Sequence, residues 1–124
     1  MDKAGEPDGA VWGKGAKTAA DVADFTNDDG TVKDLDGLKE VWKDCDFTLD
    51  NHLAFYCGTG WRAAVPFLVL YENGYDNISV YDGGWYEWLM HNDYPYRLVI
   101  LQALTAAYNS WRASDRKSCK IIRY

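Results

Sequence analysis

The sequence predicts an α/β domain in which a small parallel sheet is flanked by helices, and three observations point to this fold class. Two short apolar segments, at residues 53–56 and 78–81, have the length and composition of buried strands. Each of them runs into a glycine-containing loop. Each loop is followed by an apolar segment that can form a helix, and this alternation is typical of parallel βα units.

The size and charge of the chain limit the classes of function that it can have. With 124 residues the chain is one domain by length, and its net charge of −6 argues against a nucleic-acid partner, which would need a basic surface. No run of eighteen apolar residues predicts a membrane span. Residues 1–7 lack the apolar core of a signal peptide, so we expect a cytoplasmic location for the sequence as written, with an exported parent protein left open.

The first third of the chain predicts loops and two helices. Residues 1–16 are rich in Gly, Asp and Lys and are interpreted as loop, and residues 18–21 resemble a capping box that opens a short helix ending near Phe25. Residues 27–30 are typical of a turn. Asp34 is a candidate N-cap for a second helix. That helix has an apolar face made of Leu35, Leu38, Val41 and Trp42.

The middle of the chain predicts a strand, a loop, a helix and then the same order again. The strand at 53–56 leads into Cys57-Gly58-Thr59-Gly60, and a helix is expected from Trp61 to about Glu72, with Pro66 tolerated in its first turns. Asn73-Gly74 ends that helix. The strand at 78–81, the Gly83-Gly84 loop and a short helix over 85–90 follow.

The C-terminal region has a different pattern. A stripe at helical spacing predicts a helix, followed by a basic segment over residues 112–123. We therefore divide the chain into a domain over residues 1–95 and a helical tail over residues 96–124. The stripe consists of Leu98, Leu101, Leu104, Tyr108 and Trp111.

The segment around Cys57 carries the strongest signal of chemistry. It places a thiol at the C-terminal end of a buried strand, where open α/β sheets hold their ligands. Gly58 and Gly60 allow the backbone amides to curl around the sulfur, a helix N-terminus follows, and Arg62 adds a positive charge. These features favour the thiolate and indicate a nucleophile. The alternative is a buried structural thiol, but such a thiol needs neither glycines nor a cation.

Residues 54–63, Ala-Phe-Tyr-Cys-Gly-Thr-Gly-Trp-Arg-Ala, resemble the active-site loop of rhodanese-type sulfurtransferases. Residues 74–88 resemble the family's strand, glycine pair and tryptophan segment, and residues 7–11 resemble its Pro-Gly-Ala step. The resemblance covers about residues 7 to 95 and implies a three-layer rhodanese-like domain. A complete domain begins with a further strand carrying an Asp-x-Arg-like segment, so the resemblance implies that the N-terminal part is incomplete here.

The resemblance also implies roles for the residues of the loop. Cys57 would accept a sulfane sulfur, hold it as a persulfide and pass it to a nucleophile. The amides from Gly58 through Thr59, Gly60 and Trp61 to Arg62 would form a cradle, and the Arg62 side chain would orient an anionic donor such as thiosulfate. The implied partners are a small anionic donor and a thiol, cyanide or protein acceptor, with no cofactor.

Two other functions stay open. Cysteine phosphatases also have an amide-lined loop ending in arginine, but theirs places five residues between Cys and Arg, whereas this chain has four. The shorter loop suits a sulfur atom better than a phosphoryl group. The other alternative is a non-catalytic interaction module or an inactive fragment, which the missing strand would favour.

The remaining polar and aromatic residues are interpreted as structural. Cys45 and Cys119 show no metal-binding spacing, and no metal site is predicted; Cys119 could attack a Cys57 persulfide if the tail folds back. His52 and His91 are expected at the surface. Trp85 and Trp88 are expected in the core, while Asp82 could touch the mouth of the site. We expect the tail to cover the gap left by the missing strand, in its own chain or in a homo-oligomer.

Overall fold

The computed structural model of the chain describes residues 5–7, 9–16, 21–91, 93–98 and 120–123. Within these residues the chain forms three α-helices and six short strands. The helices are α1 (Leu35–Trp42), α2 (Ala64–Glu72) and α3 (Gly84–Met90). The strands are β1 (Gly5–Pro7), β2 (Ala10–Trp12), β3 (Leu53–Tyr56), β4 (Ile78–Val80), β5 (Tyr96–Leu98) and β6 (Lys120–Arg123).

The central sheet of the described residues has the strand order β2-β6-β3-β4. Strands β3 and β4 are parallel, with Leu53 opposite Ile78, which confirms the predicted parallel pair. Strand β6 is antiparallel to both of its neighbours, so the sheet as a whole is mixed. A separate antiparallel pair joins β1 to β5.

The side chains of β3 alternate between the two faces of the sheet and define the layers. Leu53 and Phe55 pack into a core with residues of α1 and α2, while Ala54 and Tyr56 pack on the other face against Trp85 of α3. All four side chains of β3 are buried. This arrangement is the predicted fold class, with β3 in the interior and helices on both sides.

Local signals in the sequence determine where the helices begin and end. The Asp34 carboxylate accepts a hydrogen bond from the Gly37 amide at 2.9 Å and so caps α1 as predicted. Pro66 lies in the first turn of α2, where its missing N–H removes no helical hydrogen bond. Helix α2 ends at Glu72, and Gly74 follows with a φ of +83°, a conformation that glycine adopts without strain.

The N-terminal region differs from the prediction. Residues 1–16 were expected to form loop, but β1 and β2 lie in this stretch. These strands are three residues long, and their partners β5 and β6 come from the other end of the chain, so no local pattern reveals them. The expected helix over 18–25 is a single 3₁₀ turn at Ala23–Phe25 within the described residues, and the Ala23 amide donates a hydrogen bond to the Asp21 carboxylate at 2.9 Å.

The tail also differs from the prediction at both of its described ends. A helix was expected from about residue 97, yet Tyr96–Leu98 and Lys120–Arg123 are strands. The β-branched Ile121 and Ile122 favour a strand, and Ile121 is fully buried in the core. The rest of the predicted helical stripe, from Leu101 to Trp111, lies outside the described residues. No helix in the described parts of the chain is long and apolar enough to cross a membrane.

Candidate active site around Cys57

Cys57 follows directly on β3, at the carboxyl end of the parallel pair. Its side chain is 2% exposed, so the thiol is enclosed by protein on nearly all sides. The Gly60 amide donates a hydrogen bond to Sγ of Cys57 at 3.0 Å. Gly60 has a φ of +94°, a left-handed conformation that other residues adopt only with strain. An amide in this position stabilises negative charge on the sulfur.

The loop between β4 and α3 supports the Cys57 loop from one side. The Trp85 amide donates to the carbonyl of Cys57 at 2.9 Å, and the Tyr86 amide donates to the carbonyl of Gly58 at 3.2 Å. These two amides belong to the first turn of α3, where N–H groups have no partner within the helix. The start of α3 therefore holds the carbonyl groups of the first two peptide bonds after the nucleophile.

The contact between the two loops is possible because glycine occupies both sides of it. Gly84 has a φ of +62°, and a Cβ at this position would overlap the carbonyl oxygens of Cys57 and Gly58. A Cβ at Gly60 would overlap the backbone of Asp82. We call this arrangement of Gly60, Gly84 and the two loops the glycine contact. It explains why the sequence has glycines in both loops.

Arg62 lies beside the loop but is engaged with other parts of the protein. Its side chain is buried, and Nε donates a hydrogen bond to the backbone carbonyl of Asp21 at 2.9 Å. Its guanidinium carbon lies 4.4 Å from the centroid of the Trp61 ring. The Arg62 side chain thus connects the Cys57 loop to the 3₁₀ turn region, whereas its predicted contact with an anionic donor stays a prediction.

The other predicted loop residues are at the surface or partly exposed. Thr59 is exposed, Gly58 is half-buried, and Trp61 is 49% exposed at the start of the 3₁₀ turn Trp61–Ala63 that precedes α2. Of the predicted cradle, the structure shows the Gly60 amide on the sulfur. Sequence reasoning did not identify the amides of Trp85 and Tyr86, although the Gly83-Gly84 pair ahead of a helix was the available signal.

Asp82 and Tyr81 border the site at the end of β4. Asp82 is exposed, and its backbone lies close enough to Gly60 that a Cβ on Gly60 would overlap it. The Tyr81 hydroxyl is buried on the face of the sheet that α3 covers. Burial, followed by the negative charge of Glu87, raises the pKa of Tyr81 to about 12.

The remaining candidates have structural positions. His52 and His91 are exposed, and the His91 ring stacks on Tyr94. Burial raises the pKa of the half-buried Cys45 thiol, which favours the unreactive protonated form. Trp88 packs against Tyr81, with ring centroids 5.6 Å apart. No group of three or more metal-binding side chains occurs among the described residues.

Comparison with known proteins identifies the class to which this fold and site belong. The model of the rhodanese-like domain family matches residues 12–91, which is more than half of the chain. The chain therefore belongs to the rhodanese-like domain family, as the resemblance of the Cys57 loop implied.

Individual members of the family show what this chain is similar to. It is 44% identical over 84 residues to the thiosulfate sulfurtransferase YnjE of Escherichia coli, a match that covers 68% of this chain and 19% of that protein. It is 40% identical over 58 residues to thiosulfate/3-mercaptopyruvate sulfurtransferase 2 of Arabidopsis thaliana, covering 47% of this chain and 17% of that protein. The chain thus spans about a fifth of the length of these relatives.

Solved structures show the same fold. The crystal structure of YnjE superposes with a TM-score of 0.68 at 38% identity, covering 82% of this chain and 24% of that one. A variant of EanB, which carries a cysteine persulfide together with ergothioneine, superposes with a TM-score of 0.68 at 32% identity, covering 82% of this chain and 24% of that one.

Proposed function

We propose that the chain is a sulfurtransferase domain that moves a sulfane sulfur from a small anionic donor, such as thiosulfate, to a nucleophilic acceptor through a persulfide on Cys57. The observation that carries this proposal is the hydrogen bond from the Gly60 amide to Sγ of the buried Cys57. An amide held at this distance favours a sulfur anion, both as the attacking thiolate and as the persulfide.

The proposed reaction has two steps. The Cys57 thiolate attacks the outer sulfur of thiosulfate, the sulfur–sulfur bond of the donor breaks, and sulfite leaves with the bonding electrons. An acceptor such as a thiol or cyanide then attacks the terminal sulfur of the persulfide and restores the Cys57 thiolate. Relatives that are named thiosulfate sulfurtransferases, and the EanB structure with its persulfide, support this chemistry for the family.

The size of the loop favours sulfur over phosphate chemistry. Four residues separate Cys57 from Arg62, and Arg62 Nε is bonded to the Asp21 carbonyl. A loop one residue shorter than that of the cysteine phosphatases curls more tightly, which supports a sulfur substrate rather than a phosphoryl group. An acceptor must also be small or narrow at its reactive end, because Cys57 is almost completely enclosed.

The test is the intact mass of the protein after treatment with thiosulfate. The wild-type chain and Cys45→Ser should gain sulfur, and Cys57→Ser should gain none. Turnover of thiosulfate with cyanide, measured beside turnover of an aryl phosphate, separates a sulfurtransferase from a phosphatase. A sulfur-loaded Cys57→Ser protein, or a folded wild-type protein inactive with both substrates, would contradict the proposal.

A further inference from the structure

The side chain of Tyr86 lies against the residue that follows the nucleophile. Its amide donates a hydrogen bond to the carbonyl of Gly58 at 3.2 Å, and Cε2 of its ring is 4.0 Å from the position that a Cβ on Gly58 would occupy. Among the described residues, and apart from the chain neighbours of Gly58, no other heavy atom lies within 4 Å of that position. Within this part of the structure, the Tyr86 ring alone borders the space beside Gly58.

The other sides of the Cys57 loop are closed by groups that cannot easily move. On the side of Gly60, backbone atoms of Asp82 lie so close that an added Cβ would overlap them. On the side of Arg62, the guanidinium-bearing side chain is itself buried, and all side chains of β3 behind the thiol are buried as well. Cys57 is only 2% exposed, whereas Gly58 is half-buried. The open approach to the sulfur is therefore the space beside Gly58.

The Tyr86 side chain can rotate in and out of this approach. It is 51% exposed. Within the described residues, its hydroxyl makes no hydrogen bond and its ring makes no stacking contact. Trp88 of the same helix is by contrast packed between the rings of Tyr81 and Tyr94. Exposed side chains without such contacts change rotamer readily, so the Tyr86 ring is a movable border of an otherwise rigid approach.

We infer that Tyr86 limits the width of the acceptor that reaches the Cys57 persulfide, an inference that rests on the sulfur-carrying role proposed above. Tyr86 is then a specificity-determining residue, and the acceptors that it selects are nucleophiles that are unbranched next to the attacking atom. Cys119, whose attack on the persulfide the sequence left open, lies outside the described residues.

The transfer step explains why the width of the approach matters. A thiolate acceptor attacks the terminal sulfur of the persulfide and forms a new sulfur–sulfur bond, while the bond to Sγ breaks and its electrons return to Cys57. The acceptor leaves as a persulfide, and the Cys57 thiolate is restored. Substituents on the carbon that bears the attacking sulfur enter the approach together with it. Branching at that carbon therefore brings the acceptor against the Tyr86 ring.

The experiment measures how fast the loaded persulfide is consumed by two acceptors that differ only in width. These are the amino acid cysteine and its analogue penicillamine, which has additional methyl groups on the carbon that bears the sulfur. Each protein is first loaded with thiosulfate and freed of excess donor. Tyr86→Ala should raise the rate constant for penicillamine relative to that for cysteine by roughly tenfold, the lower end of the range for steric selection in a pocket. Tyr86→Phe keeps the ring and should keep the wild-type ratio.

A substitution on the opposite border of the approach gives the converse test. Gly58 does not have a positive φ, and a Cβ added there would meet the Tyr86 ring at an ordinary contact distance. Gly58→Ala should therefore fold, narrow the approach and lower the ratio of penicillamine to cysteine rates. Met90→Ala is the matched control, because Met90 is 76% exposed one turn further along α3, and it should keep the wild-type ratio.

The outcomes separate this inference from the proposed function. An unchanged ratio in Tyr86→Ala, with normal loading by thiosulfate, would overturn the role of Tyr86 and leave the persulfide chemistry intact. An equal rise of the ratio in Met90→Ala would also overturn it, because the effect would then come from α3 in general. A wild-type protein that gains no sulfur would instead contradict the proposed function, and the inference with it.

Discussion

The sulfur of Cys57 accepts a hydrogen bond from the Gly60 amide, while the nearby guanidinium of Arg62 is bonded to the carbonyl of Asp21. The two groups therefore act on different parts of the protein. The amide acts on the reacting atom, and the arginine connects the loop to the segment that precedes α1. Loss of the Gly60 amide contact should therefore affect the chemistry of the sulfur, whereas loss of the Arg62 side chain should affect the stability of the fold.

We predict that Arg62→Ala lowers the free energy of unfolding by about 1.5–3 kcal/mol, the range for a hydrogen bond to a charged group. Arg62→Lys keeps the charge but lacks the Nε–H that Asp21 accepts, so it should be destabilised as well. Denaturant unfolding of both variants measures this effect.

Thiosulfate kinetics test whether Arg62 also orients the donor. In that case Arg62→Ala should lose on the order of 1–3 kcal/mol of transition-state stabilisation, and Arg62→Lys should recover part of it. Stable Arg62→Ala protein with unchanged kinetics would show that neither role is correct.

The buried hydroxyl of Tyr81 predicts a pH dependence of stability at high pH. Because the pKa of Tyr81 rises from 10 to about 12 on folding, the folded state holds a proton that the unfolded state loses in this range. The contribution of Tyr81 to the free energy of unfolding is therefore fully present below pH 10, and it is lost as the pH rises toward 12.

Unfolding free energies of wild type and Tyr81→Phe across this pH window measure the contribution. The difference between the two proteins should shrink or change sign as the pH rises, because only wild type carries this titrating group. The exposed Tyr71, replaced in Tyr71→Phe, provides a second variant in which a tyrosine hydroxyl is removed from the surface. Parallel curves for wild type and Tyr81→Phe would contradict the assignment.

Among the elements, α3 and the loop ahead of it have the largest effect on the site. The first amides of α3 bind the carbonyls of Cys57 and Gly58, and the glycine contact lets the two loops approach each other. Strand β4 positions this loop because it is parallel to β3 and ends at the same edge of the sheet. A change at Gly84 should therefore reach the nucleophile through backbone contacts.

We predict that Gly84→Ala abolishes sulfur transfer, because its Cβ would overlap the carbonyls of Cys57 and Gly58. Gly74→Ala is the matched control, since Gly74 also has a positive φ, of +83°, but nothing lies within 4 Å of the added Cβ. The control should lose about 1–2 kcal/mol of stability through backbone strain and keep its activity. Full activity of folded Gly84→Ala would show that the loops separate without consequence.

The sequence was sufficient for the elements whose signals are local. The apolar run before Cys57, the Asp34 cap and the Asn73-Gly74 stop each depend on neighbouring residues, and the structure confirms them. Strands β1, β2 and β6 depend on pairing between the two ends of the chain, which no window of sequence contains. Likewise, the contact of Arg62 with Asp21 joins residues 41 positions apart.

At the scale of the whole molecule, the central sheet combines both ends of the chain. Strand β6 lies between β2 and β3, and Ile121 is fully buried beside Phe55 in the main core. Strand β6 is an inner strand of this sheet although it comes from the C-terminal end of the chain. The tail thus contributes to the same core as the active-site strand, although it lies beyond the family match at residues 12–91.

We predict that removing residues 120–124 destabilises the protein and promotes its association. Without β6, the edges of β2 and β3 lose their hydrogen-bonding partner, and exposed strand edges pair readily with other chains. Loss of the buried Ile121 side chain contributes about 2–5 kcal/mol to the destabilisation, as for truncation of a core isoleucine. Deletion of residues 97–124 should have at least this effect.

Thermal unfolding and light scattering measure both outcomes, with deletion of residue 124 as the control that retains β6. A shortened chain that stays monomeric and melts at the wild-type temperature would show that β6 is dispensable. Loss of this strand from the sheet removes the packing of Ile121 in the core and leaves backbone groups of β2 and β3 without hydrogen-bonding partners, so both measurements should change if β6 is part of the folded sheet.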